Sequence, residues 1–191
     1  YNLSRDVFGD EAMVKFSGSL SFYQYMPAKP TKRGIKIWML FDAQTAYLSC
    51  FVVYLGKQGN NNPEHGLALT KLTDNLHGYN HHIYFDNFFT SIKLFEDLQA
   101  NGLCACGTVR SNRKGFPKYL KKSIKKRDDC KILQKEGTHL TASVWKYKKY
   151  VYYLSTLSDP KLQMQAQGVL ATFWMSLNHT HCTTTTNTWE G

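Results

Sequence analysis

The sequence is short of acid. Against 24 Lys and Arg it has 14 Asp and Glu, a formal net charge of +10 over 191 residues. Such an excess points to a polyanionic partner, nucleic acid first and an acidic membrane second. A solvated basic surface would have the same composition. The five cysteines are odd in number and contain no Cys-x-x-Cys pair. This argues against a zinc ribbon or a disulfide framework and suits a reducing compartment. The longest apolar stretch, around Tyr47 to Leu55, is too short to span a bilayer. The first residues show no basic head followed by an apolar run, so no signal peptide is expected. No Gly-rich phosphate loop, nucleophile elbow or His-Glu-x-x-His occurs. Nor is there an internal repeat.

Apolar residues are not lacking. At 42% hydrophobic and 14% aromatic, the chain can bury a real core, and its length suits one domain with room for an insertion. Residues 12–17 mix apolar and polar positions as a half-buried strand does. Ile35 to Phe41 and Tyr47 to Leu55 are β-rich runs separated by a turn at Asp42 to Thr45, which predicts a hairpin. Gly56 to His65 reads as an exposed loop, and Leu67 to Leu76 has near-helical apolar spacing. His82 to Phe85 is a short apolar strand that stops at Asp86. Thr90 or Ser91 then caps a helix to about Ala100, with Gly102 beyond its end. Leu103 to Val109 predicts another strand, and Leu140 to Trp145 with Tyr150 to Leu154 a second hairpin. Strands, helix, strand, helix, strand is the order of an α/β or α+β domain with a mixed sheet.

Two carboxylates stand out by context. Asp10 precedes the first strand pattern, and Asp86 ends a buried-looking strand where a helix begins. Strand ends are common ligand positions. A pair of carboxylates can hold Mg²⁺, which prefers oxygen, and two such ions can drive phosphodiester cleavage. The plainer alternative is a turn or cap aspartate, the reading that fits Asp42. His81 and His82 are adjacent and so face opposite ways in a strand, which suits structural histidines better than metal ligands. Between Arg110 and Arg127 the sequence is strongly basic: Arg110, Arg113 and Lys114 lead into a lysine-rich run. Cations at that density can release counterions from phosphates, although a solvated lysine loop looks the same.

Several stretches together carry a family resemblance. They are Asp10 to Phe16, Tyr25 to Pro30, Gly34 to Trp38, Tyr84 to Ser91, and Gly107 to Pro117. In order and spacing they resemble the catalytic domain of piggyBac transposases, over residues 10 to about 158. The resemblance implies an α/β, ribonuclease-H-like mixed sheet with flanking helices, here incomplete, and the start of an inserted β-rich subdomain beyond about residue 115. It implies cut-and-paste DNA transposition at TTAA sites, in the nucleus. It further implies a two-Mg²⁺ centre held by three aspartates, of which Asp10 matches the first and Asp86 the second. Lys29, Lys32, Lys36, Asn87, Arg110, Arg113 and Lys114 are the DNA contacts this reading assigns, with Asn87 beside the metal site. The expected partners are DNA and a second copy of the chain, with no membrane.

The sequence departs from the family pattern in three ways. Gly18-Ser19-Leu20 stands where the family has Gly-Arg-Ser, removing one basic contact. Phe8-Gly9 interrupts what is usually a strand before the first aspartate, and glycine weakens strands. The third aspartate has no match, so residues 1–160 are expected to form a partial and inactive catalytic domain. Residues 161–191 are expected to be a divergent, poorly ordered tail. Read from the third base of each codon, Thr184 onward permits Tyr-Asn-Lys-Tyr-Met-Gly-Gly, similar to the family's motif before its third aspartate. A frameshift after about residue 160 would explain the tail. The alternatives to a transposase-derived DNA-processing domain are a non-catalytic DNA-binding remnant and a decayed reading frame without function.

Overall fold

The computed structural model describes residues 1–56, 64–127, 129–157 and 187–189. The chain divides into two compact units, Tyr1–His81 and His82–Gly191.

The first unit is built on an antiparallel sheet. Strand β1 is Asp6–Lys15, β2 Gln24–Tyr25, β3 Arg33–Asp42 and β4 Leu48–Val53. β1 pairs with β3 over nine positions, Val7 opposite Asp42 through Lys15 opposite Gly34. β4 and β2 also pair with β3. The first strand is longer than residues 12–17 and runs straight through Phe8-Gly9: Gly9 is buried opposite Leu40. Long cross-strand pairing outweighs the weakness of one glycine. On β3 the alternation is strict, with Lys36, Trp38, Leu40 and Asp42 buried and the residues between them half-buried. Helix α1, Glu64–Thr73, continues into a 3-10 turn at Asp74–Leu76, and Leu69, Leu72 and Leu76 are buried. The hairpin and this helix are as the pattern predicts, except that Glu64 and His65 already belong to the helix. Residues 57–63, the rest of the expected loop, lie outside the described residues.

The second unit is a mixed sheet. β5 (His82–Phe85) and β6 (Cys104–Thr108) are parallel, joined by helix α2 (Ile92–Ala100). The period-3.6 stripe of α2, Ile92, Leu94, Phe95 and Leu98, is buried. Ser91 is its N-cap, accepting a hydrogen bond from the Leu94 N–H at 3.3 Å, and Gly102 follows its end with φ of 73°. A 3-10 segment, Lys118–Ser123, follows β6. Then come β7 (Cys130–Lys135), β8 (Thr141–Lys146) and β9 (Tyr150–Ser155), antiparallel in turn, with β9 pairing back onto β6. The strands beyond residue 115, where an inserted β-rich subdomain is expected to start, pair back onto β6 within this unit. The sequence carries no clear period-2 signal for β7, because Lys131, Gln134 and Lys135 fall within it and the adjacent Ile132 and Leu133 are both buried.

Of the tail expected to be poorly ordered, Asn187–Trp189 form strand β10, parallel to β7, with Trp189 buried. The remainder of the tail, and with it the frameshift reading, lies outside the described residues. Cys50 and Cys106 are free thiols, while Cys130 is disulfide-bonded, which the odd count and missing Cys-x-x-Cys pair did not anticipate. Among the described residues no helix is long and apolar enough to cross a membrane.

Candidate functional site

Asp10 and Asp86 fall in different units, and each is described in its own surroundings. Asp10 sits mid-strand on β1, opposite Met39, which in turn is opposite Phe51 on β4. It thus shares a sheet face with apolar neighbours. Burial pushes its carboxyl above the ordinary range; the Glu11 N–H and the Lys29 ammonium act the other way, and the Glu11 charge adds to the rise. The Glu11 N–H donates to Asp10 Oδ1 at 2.7 Å. Glu11 itself is 9% exposed and points to the buried face. Its Oε1 lies 3.2 Å from Lys29 Nζ, and its Oε2 is buried without a hydrogen-bond partner. Lys29 also donates to the Glu11 carbonyl at 3.3 Å. Lys29 is therefore already tied to the acidic strand.

Asp86 is exposed at the C-terminal end of β5 and organises the turn that follows. Its Oδ1 accepts the Phe88 N–H at 2.9 Å and the Phe89 N–H at 3.3 Å. Its carbonyl accepts the Thr90 N–H at 3.2 Å and the Thr90 hydroxyl at 2.7 Å. Arg113 clamps the same turn from outside: Nη2 donates to the Asn87 carbonyl at 2.6 Å and the Phe88 carbonyl at 3.1 Å. Arg110 Nε donates to Asn87 Oδ1 at 3.1 Å. Burial, and then the neighbouring Arg110, lower the pKa of the Arg113 guanidinium, which Asp86 partly offsets. Asp86, Asn87, Arg110 and Arg113 are thus gathered at one strand end.

The other predicted positions divide. Lys32 and Lys114 are exposed. Lys36 is 6% exposed, with its ammonium 5.7 Å from the ring centroids of both Trp38 and Tyr54. Assigned to DNA by the family resemblance, it lies instead on the buried face of β3 and does not face solvent, where a phosphate would be met. Asp42, read as a turn residue, is one: it is fully buried and accepts the N–H groups of Gln44 at 2.8 Å and Thr45 at 3.0 Å. These bonds, with that from the Ser4 N–H foremost, hold its carboxyl well below the usual carboxylate range. His81 Nδ1 lies 2.9 Å from the Ser4 carbonyl. Buried Cys106, its thiol pushed up to about 12, is a core residue and not a ligand or nucleophile. Among the described residues no three His, Cys, Asp or Glu cluster as a metal site. Sequence alone does not show the buried Glu11, the hold of Thr90 on the Asp86 turn or the clamp made by Arg113. A carboxylate beside Asp10 was visible, but its burial was not.

A basic chain with strand-borne aspartates on α/β units has the charge and the carboxylates that a nucleic-acid-processing domain uses. The chain belongs to the family described as Transposase IS4, whose model matches residues 1–171, and it is of piggyBac type. It is 34% identical over 110 residues to PiggyBac transposable element-derived protein 3 of Homo sapiens, covering 54% of this chain and 18% of that protein. It is 32% identical over 141 residues to PiggyBac transposable element-derived protein 2 of Homo sapiens, covering 66% and 23%. Among solved structures it matches a piggyBac transposase synaptic complex with hairpin DNA, with a TM-score of 0.77 and 30% identity over 99% of this chain and 43% of that one. The chain therefore spans about a fifth of the curated relatives it matches. The fold is of the expected ribonuclease-H-like class, and the chain is a transposase-derived domain.

Proposed function

We propose that the chain is the part of a piggyBac-type DNA transposase domain that bears its first two acidic ligands, acting on DNA at TTAA sites in the nucleus. The observation that carries this reading is the Asp86 turn. A strand-end carboxylate accepts the Phe88 and Phe89 N–H groups, in a turn held by Thr90 on the Asp86 carbonyl and by Arg113 on the next two carbonyls, with Arg110 fixed beside it on Asn87. Fixed cations around a carboxylate suit a site that must hold a metal against a phosphodiester. Asp10 and Asp86 would hold Mg²⁺. Their donors are hard carboxylate oxygens, which that ion prefers, and a cation beside Asp10 would offset the burial that raises its carboxyl. When bound, the metal supplies charge neutralisation at the scissile phosphate. Lys29, Lys32, Asn87, Arg110 and Lys114 position the DNA backbone; Arg113 acts through the turn it clamps. With two of the family's three aspartates, this chain alone is expected to bind DNA without cutting it.

The test is calorimetric titration of the 191-residue chain with Mn²⁺ or Mg²⁺, alongside Asp10→Ala and Asp86→Ala. The expected result is binding by the wild type, lost in both variants. Metal at a hundredfold excess over Kd should also stabilise the wild type by about 2.7 kcal/mol in thermal melts and leave the variants unmoved. No heat in the wild type, or equal heat in all three, would overturn the assignment. Cleavage of duplex DNA by the chain alone would overturn its inactivity.

A further inference from the structure

Within the second unit, two segments far apart in sequence are brought together, residues 118–127 and 146–150. Between them they hold nine Lys and Arg and no Asp or Glu in fifteen residues. We propose that they form a binding surface for the backbone of duplex DNA, separate from the Asp86 turn. In choosing DNA the proposal rests on the transposase reading above.

The geometry is specific. The turn between β8 and β9 presents Lys148 and Lys149 to solvent. Beneath them Tyr147 and Tyr150 serve as platforms. Arg127 lies over the Tyr147 ring at 4.8 Å, and Lys121 and Lys146 lie over the Tyr150 ring at 5.0 and 5.4 Å. Main-chain acceptors complete the scaffold: Lys146 Nζ donates to the Lys125 carbonyl at 2.6 Å, and the Tyr150 hydroxyl donates to the Ile124 carbonyl at 3.3 Å. Thus the cations are gathered by rings and carbonyls, across 21 and 26 residues of sequence, and not by acidic residues within the two segments. Neighbouring Asp129 accepts the Lys126 N–H at 3.1 Å. Concentrated like charge is unfavourable for the fold alone and is relieved by a polyanion. Cation–π contacts hold the side chains in place, lowering the ordering cost when a phosphate arrives.

The chemistry favours a nucleic-acid backbone over a lipid surface. A membrane-binding patch needs apolar side chains to insert beside its cations. Here the rings of Tyr147 and Tyr150 are half-buried under the charges, Leu120 and Ile124 are buried, and Tyr119 alone among the large apolar residues of the two segments is exposed.

The experiment is fluorescence anisotropy of the full chain on a short labelled duplex across a NaCl series. The variant is Lys148→Gln/Lys149→Gln, in an exposed turn. Lys93→Gln, on the exposed side of α2, controls for loss of charge elsewhere. The double variant should lose about two units of the slope of log affinity against log salt, at ~0.9 per phosphate contact, and bind about tenfold more weakly at fixed salt. Lys93→Gln should keep the wild-type slope. Unchanged slope and affinity in the double variant overturn the proposal, whatever the metal titration shows. Binding to acidic vesicles but to no duplex overturns it as well. Failure of the metal titration with the slope lost as expected would instead remove the catalytic reading and leave this surface standing.

Discussion

Asp10 and Asp42 lie on neighbouring strands of the same unit, yet their carboxyls are pushed in opposite directions. At Asp42 the N–H groups of Ser4, Thr45 and Gln44 hold the charged form. A carboxyl held low in the folded state adds stability above its unfolded pKa of about 3.9, and that stability is lost as pH falls below it. At Asp10 burial dominates and favours the neutral acid. A carboxyl held high makes the folded state the stronger proton binder, so stability declines as pH rises from about 3.9 and the penalty persists at neutral pH. Hence Asp10→Asn is expected to melt higher than wild type at pH 7, the gain vanishing in acid. Asp42→Asn should melt lower, its deficit shrinking below about pH 4. Melting curves at neutral and acid pH check both; a fall in Tm for Asp10→Asn at neutral pH would mean that its charge stabilises the strand. A residue kept at a cost to stability is what a functional site looks like.

At the scale of elements, the Asp86 turn depends on its neighbour β6. A Cβ on Gly107 would collide with the Thr90 hydroxyl and would come within 2.7 Å of the Phe85 carbonyl. Thr90 is fully buried and donates to Asp86, so the turn has nowhere to retreat. Gly107→Ala should therefore cost about 1–3 kcal/mol by overpacking and weaken metal binding at the same time. Ser91→Ala removes the cap of α2, and is expected to cost about 1 kcal/mol without touching metal affinity. Thermal melts and titrations of the pair separate the two effects; equal metal affinities would show that the turn does not depend on Gly107.

At the scale of the molecule, strand β4 pairs with β3 and leaves Leu48 and Phe51 at 42% and 56% exposed, with Leu55 just beyond the strand at 56%. Exposed apolar residues along a strand invite association. Phe51→Lys should reduce self-association of the chain, read by light scattering over a concentration series, with little change in Tm. Scattering that is unchanged would place the sticky surface elsewhere. The same scale sets the charge. Nine of the chain's 24 Lys and Arg lie in residues 118–127 and 146–150.

The sequence by itself determined the family, through motifs in order, and most elements, because their signals are local. The alternation of β3, the stripe of α2 and its Ser91 cap each depend on residues a few positions apart. It also placed Asp86 at the end of a strand, whereas Asp10, expected ahead of the first strand, sits within it. Tertiary structure decided what local pattern cannot hold. Lys36 looked available beside Lys32 and is buried because strand alternation turns it inward. Arg113 looked like a phosphate contact and clamps the Asp86 turn across 26 and 25 residues. The basic run 118–127 reads in sequence equally as a phosphate contact or a solvated loop, and the hairpin sets Tyr150 beneath Lys121 and Tyr147 beneath Arg127. Exposure and long-range pairing follow from how strands meet, and strands meet by the burial of whole faces, a property of no single segment.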